Sequence, residues 1–194
     1  ISARAVLRAK GAPLSKRSAS SMRLRAASAC ASGCVSRAVP LPIGVVRIGA
    51  NATLSGGNAL LIDATQNTNV AASAKLSGAA MSLASGRIGF GGGGTGLVLS
   101  DTSLAQLAST QHLTLRSYST VDFYSSVDLR AAGLKSVTLD AAGLVGYTLG
   151  TIAVTGGSLA LENNSGSFVE PTGTGHAQLV LSADEIVLGA GSKA

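Results

Sequence analysis

The chain has 194 residues with 15 Lys and Arg against 9 Asp and Glu, three Tyr, three Phe and no Trp, and Ala, Gly and Ser together fill 83 positions. An apolar fraction of 46% allows about one domain with a core, but 3% aromatics and 12% charge speak against both an ordinary aromatic-cored enzyme and a charged disordered tail. The net charge of +6 is lopsided, because residues 1–47 hold nine cations and no acid while residues 48–194 hold six cations and nine acids.

The chain opens at Ile1, and it is read as a piece of a longer product or a gene with an unusual start. Residues 1–42 form a basic, weakly structured N-terminal region without strand alternation. Their Arg, Ser and Ala content superficially resembles a transit peptide, but no apolar run there could serve as the hydrophobic core of a secretory signal. Aromatic side chains that could stack on bases are absent from residues 1–47, so no nucleic-acid partner is expected. Cys30 and Cys34 are spaced C-x3-C with no second pair, which is too few ligands for a zinc site. A local disulfide and two unpaired thiols fit them equally.

From about residue 43 one pattern prevails: an aliphatic, one residue between, another aliphatic, then a small or polar turn. A period of two marks short half-buried strands. The first pairs are Val46/Ile48, Leu60/Ile62, Met81/Leu83, Ile88/Phe90 and Leu97/Leu99. Between the last two lies Gly89 to Gly96, which formally contains G-x-G-x-x-G twice; a strand and not a helix follows, so the phosphate-cradling mechanism has no helix N-terminus and a flexible turn is expected. Ser100 to His112 departs from alternation: Ser100 or Asp101 can cap a short helix, near residues 101–111, that buries Leu104 and Leu107.

The alternation resumes with Leu113/Leu115, Val121/Phe123, Val127/Leu129, Val137/Leu139, Ile152/Val154, Leu159/Leu161, Leu179/Leu181 and Ile186/Leu188. Ala141 to Leu161 carries no charge over 21 residues, but five glycines and three threonines divide it into β-favouring pieces, so no transmembrane segment is expected. Treating Leu115, Leu139, Leu161 and Leu188 as equivalent gives steps of 24, 22 and 27 residues, and Leu129, Val154 and Leu181 give 25 and 27. Those steps suit a β-solenoid of about six or seven coils with three short strands each. Thr114, Arg116, Asp122, Tyr124, Asp128, Arg130, Thr138 and Asp140 then point outward.

Chemistry leaves little signal. His112 and His176 have no second histidine or carboxylate pair at ligand spacing, and no nucleophile elbow, zinc helix or Walker loop occurs. Asp122, Asp128 and Asp140, with Arg116, Arg130 and Lys135 nearby, could form a carboxylate cluster for polysaccharide cleavage, yet mixed acids and bases on an outward strand face are ordinary solvation. No catalytic, cofactor-binding or metal-binding residue is therefore assigned, no cofactor is expected, and the chain is read as not an enzyme.

Several segments carry a resemblance: LSGGNALLIDAT from Leu54, LASGRIGFG from Leu83, LTLRSYSTVDFY from Leu113, VTLDAAGL from Val137 and ADEIVLGAG from Ala183. Over residues 43–194 the chain resembles the repetitive body of filamentous haemagglutinin-like exoproteins, the two-partner secreted adhesins of Gram-negative bacteria. The resemblance implies a right-handed parallel β-helix, export by a dedicated outer-membrane transporter, localisation at the bacterial surface or outside the cell, and adhesion to glycans or proteins of host or bacterial surfaces. The family's N-terminal secretion domain is not recognisable here, so the expectation is an internal shaft segment with no catalytic activity. A β-helical polysaccharide-active enzyme and a non-functional gene remnant are the alternatives.

Overall fold

Short aliphatic pairs separated by Gly, Asn, Asp and Ser cannot sustain long strands; they make brief ones that turn a corner and start again. The computed structural model describes residues 44–93, 95–107, 109–130, 133–168 and 178–189. In chain order these hold β1 (Val45–Ile48), β2 (Thr53–Ser55), β3 (Ala59–Asp63), β4 (Asn67–Val70), β5 (Lys75–Ser77), β6 (Ala80–Ser85), β7 (Ile88–Phe90), β8 (Leu97–Leu99), α1 (Asp101–Leu107), β9 (His112–Ser117), β10 (Thr120–Phe123), β11 (Val127–Arg130), β12 (Ser136–Asp140), β13 (Gly143–Gly146), β14 (Gly150–Glu162) and β15 (Leu179–Leu188). The protein is all-β apart from α1, and every strand pairing among the described residues is parallel, in a curled arrangement. The basic region 1–42, with Cys30 and Cys34, lies outside the described residues, as does His176.

The longest row runs β3, β6, β9, β12, the second half of β14 and the second half of β15. Its register lines up two continuous columns of inward side chains. One is Leu60, Met81, Leu113, Val137, Leu159 and Ile186; the other is Ile62, Leu83, Leu115, Leu139, Leu161 and Leu188. Each member sits about 4.8 Å from the next, the spacing of hydrogen-bonded strands. A second row, β8, β7, β10 and β13, stacks Phe90 on Phe123 with ring centroids 5.0 Å apart. The remaining face is made by β2 on β5, and by β11 on the first halves of β14 and β15. Inward residues of these rows meet in one core, where Leu83, Ile88, Phe90, Leu97, Leu115, Val121, Val137 and Ile152 are fully buried.

The expected equivalence of Leu115, Leu139, Leu161 and Leu188 matches this register. The other expected series does not. Leu129 pairs with Ile152, and Ile152 with Leu181, while Val154 pairs with Ala183. Alternation with a period of two leaves a slip of two residues invisible, because Ile152 and Val154 face the same way. The register of β14 and β15 also shifts between Val154 and Ser158, which lets one long strand serve two faces.

The step from Met81 to Leu113, 32 residues against 21 from Leu60 to Met81, contains two devices. First, the glycine run turns the chain back so that β8 lies parallel to β7 only nine residues later, Ile88 beside Leu97. Two hydrogen bonds tie its ends: Leu97 N–H donates to the Arg87 carbonyl and Gly91 N–H to the Leu99 carbonyl, both at 2.8 Å. Gly96 has φ of 91°, and a Cβ there would collide with the Arg87 carbonyl. Second, α1 covers the edge of β5. Ser100 caps it, its Oγ accepting from Ser103 N–H at 3.4 Å, and Leu104 and Leu107 face the core. The Gln106 amide then behaves like a strand's peptide: its Oε1 accepts from Leu76 N–H at 3.0 Å and its Nε2 donates to the Ala74 carbonyl at 3.1 Å.

Candidate functional site

Alternation sends every second side chain to the outer face, and three groupings arise there. In the first, Arg116 and Asp140 are direct neighbours across β9 and β12, and Arg116 Nε lies 3.2 Å from Asp140 Oδ2. Asp140 also accepts from Asn164 N–H at 2.8 Å and from Asn164 Nδ2 at 3.1 Å. Arg116 covers the Tyr118 ring, 5.3 Å from its centroid, and the Tyr118 hydroxyl donates to Asp63 Oδ1 at 2.9 Å. Burial, then the hydrogen bond to Asp63, raises the Tyr118 phenol above its usual value.

The second grouping surrounds Asp122 on β10. Arg87 Nε lies 2.8 Å from Asp122 Oδ2 and donates to Thr120 Oγ1 at 3.1 Å, while the Tyr124 hydroxyl donates to Asp122 Oδ2 at 3.1 Å. Asp122 Oδ1 is buried without a hydrogen-bond partner among the described residues. Burial first, then the charge of Asp122, raises the Tyr124 phenol. Its ring stacks on Tyr147, just past the end of β13, centroids 4.8 Å apart.

These contacts correct the expectation that Asp122 and Asp140 are plain outward solvating groups. Their positions are outward by alternation, yet they are 0% and 4% exposed. A neighbouring guanidinium and the adjoining loops close over each of them. A buried carboxylate is tolerable only with such partners. Asp128, on β11, is exposed and takes part in other contacts of its own. The three acids stand on β10, β11 and β12, which β13 and two separate stretches of β14 extend, so they do not converge on one cleft. His112 is exposed at the start of β9, with Nδ1 2.8 Å from Ser136 Oγ, and Lys135 is exposed beside β12. Among the described residues no three His, Cys, Asp or Glu side chains gather as a metal site would need, and no helix is long and apolar enough to cross a membrane.

The third grouping is a cleft of about 560 Å³ where β1 and β4 meet the corner before β7 and the end of the glycine turn. Arg47, Gln66, Asn67, Arg87, Thr95 and Ser119 contribute to its wall. Sequence reasoning missed it because its residues come from five separate stretches, and the glycine run that supplies Thr95 reads only as a turn. Parallel pairing assembles it: Val45 lies beside Asn67 and Arg47 beside Asn69. Compared with known protein families, with curated proteins and with solved structures, the chain matches none.

Proposed function

We propose that this chain is a shaft segment of a filamentous haemagglutinin-like exoprotein, folded as a right-handed parallel β-helix and acting in adhesion from the bacterial surface. The observation that carries the reading is the pair of aliphatic columns that run unbroken through six strands, Leu60 to Ile186 and Ile62 to Leu188. A stack of this kind grows by adding layers, each contacting only its neighbours, and so suits a protein that must reach outward. Its outer face mixes polar side chains with exposed apolar ones such as Leu61 and Leu149, and Asp122 and Asp140 are occupied in holding that face together, which fits a scaffold with many weak contact points. Export would use an outer-membrane transporter of a two-partner secretion system.

The test is to read the DNA on both sides of the segment. The expected result is an open frame that continues upstream through further strand pairs into a secretion domain, with a transporter gene adjacent. Stop codons or a frame shift near residue 40 would overturn the proposal.

A further inference from the structure

We infer that the open edge of β15 is a self-association surface, on which a second copy of this chain pairs its own β15 antiparallel about a two-fold axis that passes between Ala183 and Asp184. The inference goes beyond the adhesive reading and does not depend on it.

β15 pairs with β14 on one side, and no strand among the described residues lies on the other. Ile186 and Leu188 end the two aliphatic columns there, both exposed, with Val180 and Val187 exposed on the outer face of the same strand. At the opposite end of the stack the first-layer residues Leu54, Leu60 and Ile62 are buried. A copy stacking head to tail therefore finds no second open end, whereas two β15 edges are alike and can meet each other. Such a contact uses the same patch on both copies and closes at two subunits.

Three features agree on one register. The first is hydrogen bonding: Gly150 N–H donates to the Gln178 carbonyl, and Gly189 N–H to the Leu161 carbonyl. A strand turns its peptide groups alternately to its two sides, so these bonds leave the N–H and C=O of Leu179, Leu181 and Ala183, and of Ile186 and Leu188, facing the open edge; the parity changes at the corner where pairing with β14 is interrupted. In an antiparallel pair, residues that exchange both hydrogen bonds stand directly opposite, and setting Leu179 against Leu188 and Leu181 against Ile186 matches free groups with free groups in both copies. The second feature is packing, because those four side chains belong to the inward rows and so carry the core of one copy into that of the other. The third is the outer side, where the same register sets Val180 against Val187 and Ser182 against Glu185, with no acid directly facing an acid. The strand LVLSADEIVL is thus close to a palindrome in polarity, with the axis at its middle. The one unfavourable neighbourhood is at the axis, where each Asp184 lies opposite Ala183 and diagonal to its twin.

The test uses the full chain. Sedimentation equilibrium should show monomer and dimer exchanging with concentration and nothing larger. Val187→Lys sets a lysine against Val180 twice per dimer and should weaken association about tenfold or more. Asp184→Asn removes the like charges at the axis and should tighten it by about two- to fivefold. Disulfide trapping with diamide as the oxidant reads the register, in a background carrying Cys30→Ser and Cys34→Ser. Val180 and Val187 stand opposite at a Cα separation of about 4.5 Å, within disulfide reach, whereas two Val180 positions lie roughly 24 Å apart along the strand. A mixture of Val180→Cys and Val187→Cys chains should therefore oxidise to a mixed dimer, while neither variant cross-links alone. Both positions are exposed, so circular dichroism should stay β-type in each variant. A chain that stays monomeric up to about 1 mM overturns the inference. So do assemblies that keep growing beyond two, cross-linking of Val180→Cys to itself, or a dimer that the mixed cysteines fail to trap. None of these results reads the flanking DNA, so failure of the dimer and failure of the shaft reading are separable.

Discussion

Shortening Leu115 to Ala probes the column register directly. Leu115 is 0% exposed and stands between Leu83 and Leu139, with strands on both sides of it. The substitution removes the transfer energy of a buried branched side chain and leaves a cavity that rigid parallel layers above and below cannot collapse into, so the loss should be about 3 kcal/mol, within the usual 2–5. For a chain of this size that corresponds to a fall in Tm of about 6–12 °C. The control is Leu61→Ala on β3, in the same row two strands from β9, at a site 55% exposed, where the cost should stay below about 0.5 kcal/mol. Denaturant titration followed by circular dichroism measures both. A double-mutant cycle adds the register: Leu115→Ala with Leu139→Ala should show a coupling of at least about 0.5 kcal/mol, and Leu115→Ala with Leu188→Ala, two layers beyond Leu139, should be additive. Equal costs at Leu61 and Leu115, or coupling to Leu188 but not to Leu139, would refute the stacked arrangement.

Gly96→Ala, at φ of 91° with the Arg87 carbonyl in the way, should destabilise by about 1–3 kcal/mol in the same titration, whereas Gly57→Ala, strained in φ but with open space around it, should cost less. Asp140→Ala should cost about 1–2 kcal/mol, since it removes the acceptor of Asn164 N–H and the partner of Arg116, whose half-exposed guanidinium water then solvates. The folded-state phenols of Tyr118 and Tyr124 are raised, so the folded chain keeps their protons longer than the unfolded chain. Stability is therefore whole below about pH 10 and falls as pH rises through the raised values, and the double variant Tyr118→Phe with Tyr124→Phe should flatten that alkaline decline in a pH series of denaturant midpoints. The open side of β15 presents Ile186 at 47% exposure, where its column mate Leu159 is at 0%, and Leu188 at 59%, so the isolated chain should associate with rising concentration, and Val187→Lys should shift its sedimentation toward monomer.

The β class, the short helix with Leu104 and Leu107 inward, and the column through Leu115, Leu139, Leu161 and Leu188 were all legible because burial enforces a period that the residues themselves carry. Pairing across turns was less so. Val154 and Ile152 satisfy the same alternation, and only the actual hydrogen bonds of β11 with β14 choose between them. The burial of Asp122 and Asp140 was hidden for a related reason: alternation reports the side a residue faces, not whether a neighbouring arginine and loop then close over it. The cleft had no signature at all, since Arg47, Asn67 and Arg87 become neighbours only when separate turns of chain are laid side by side.

The glutamine that stands in for a strand has a mechanical meaning. Along the first row, backbone ladders join every layer from β3 to β15, but on the face of β5 the ladder stops, and what meets that edge is the two-bond clasp of the Gln106 side chain. A pull along the stacking direction is thus resisted by peptide ladders in the first row and by one side-chain amide on this face. At the layer of α1 the β6–β9 and β7–β10 ladders continue, so only this one face exchanges a peptide ladder for the clasp of a side-chain amide and the packing of Leu104 and Leu107.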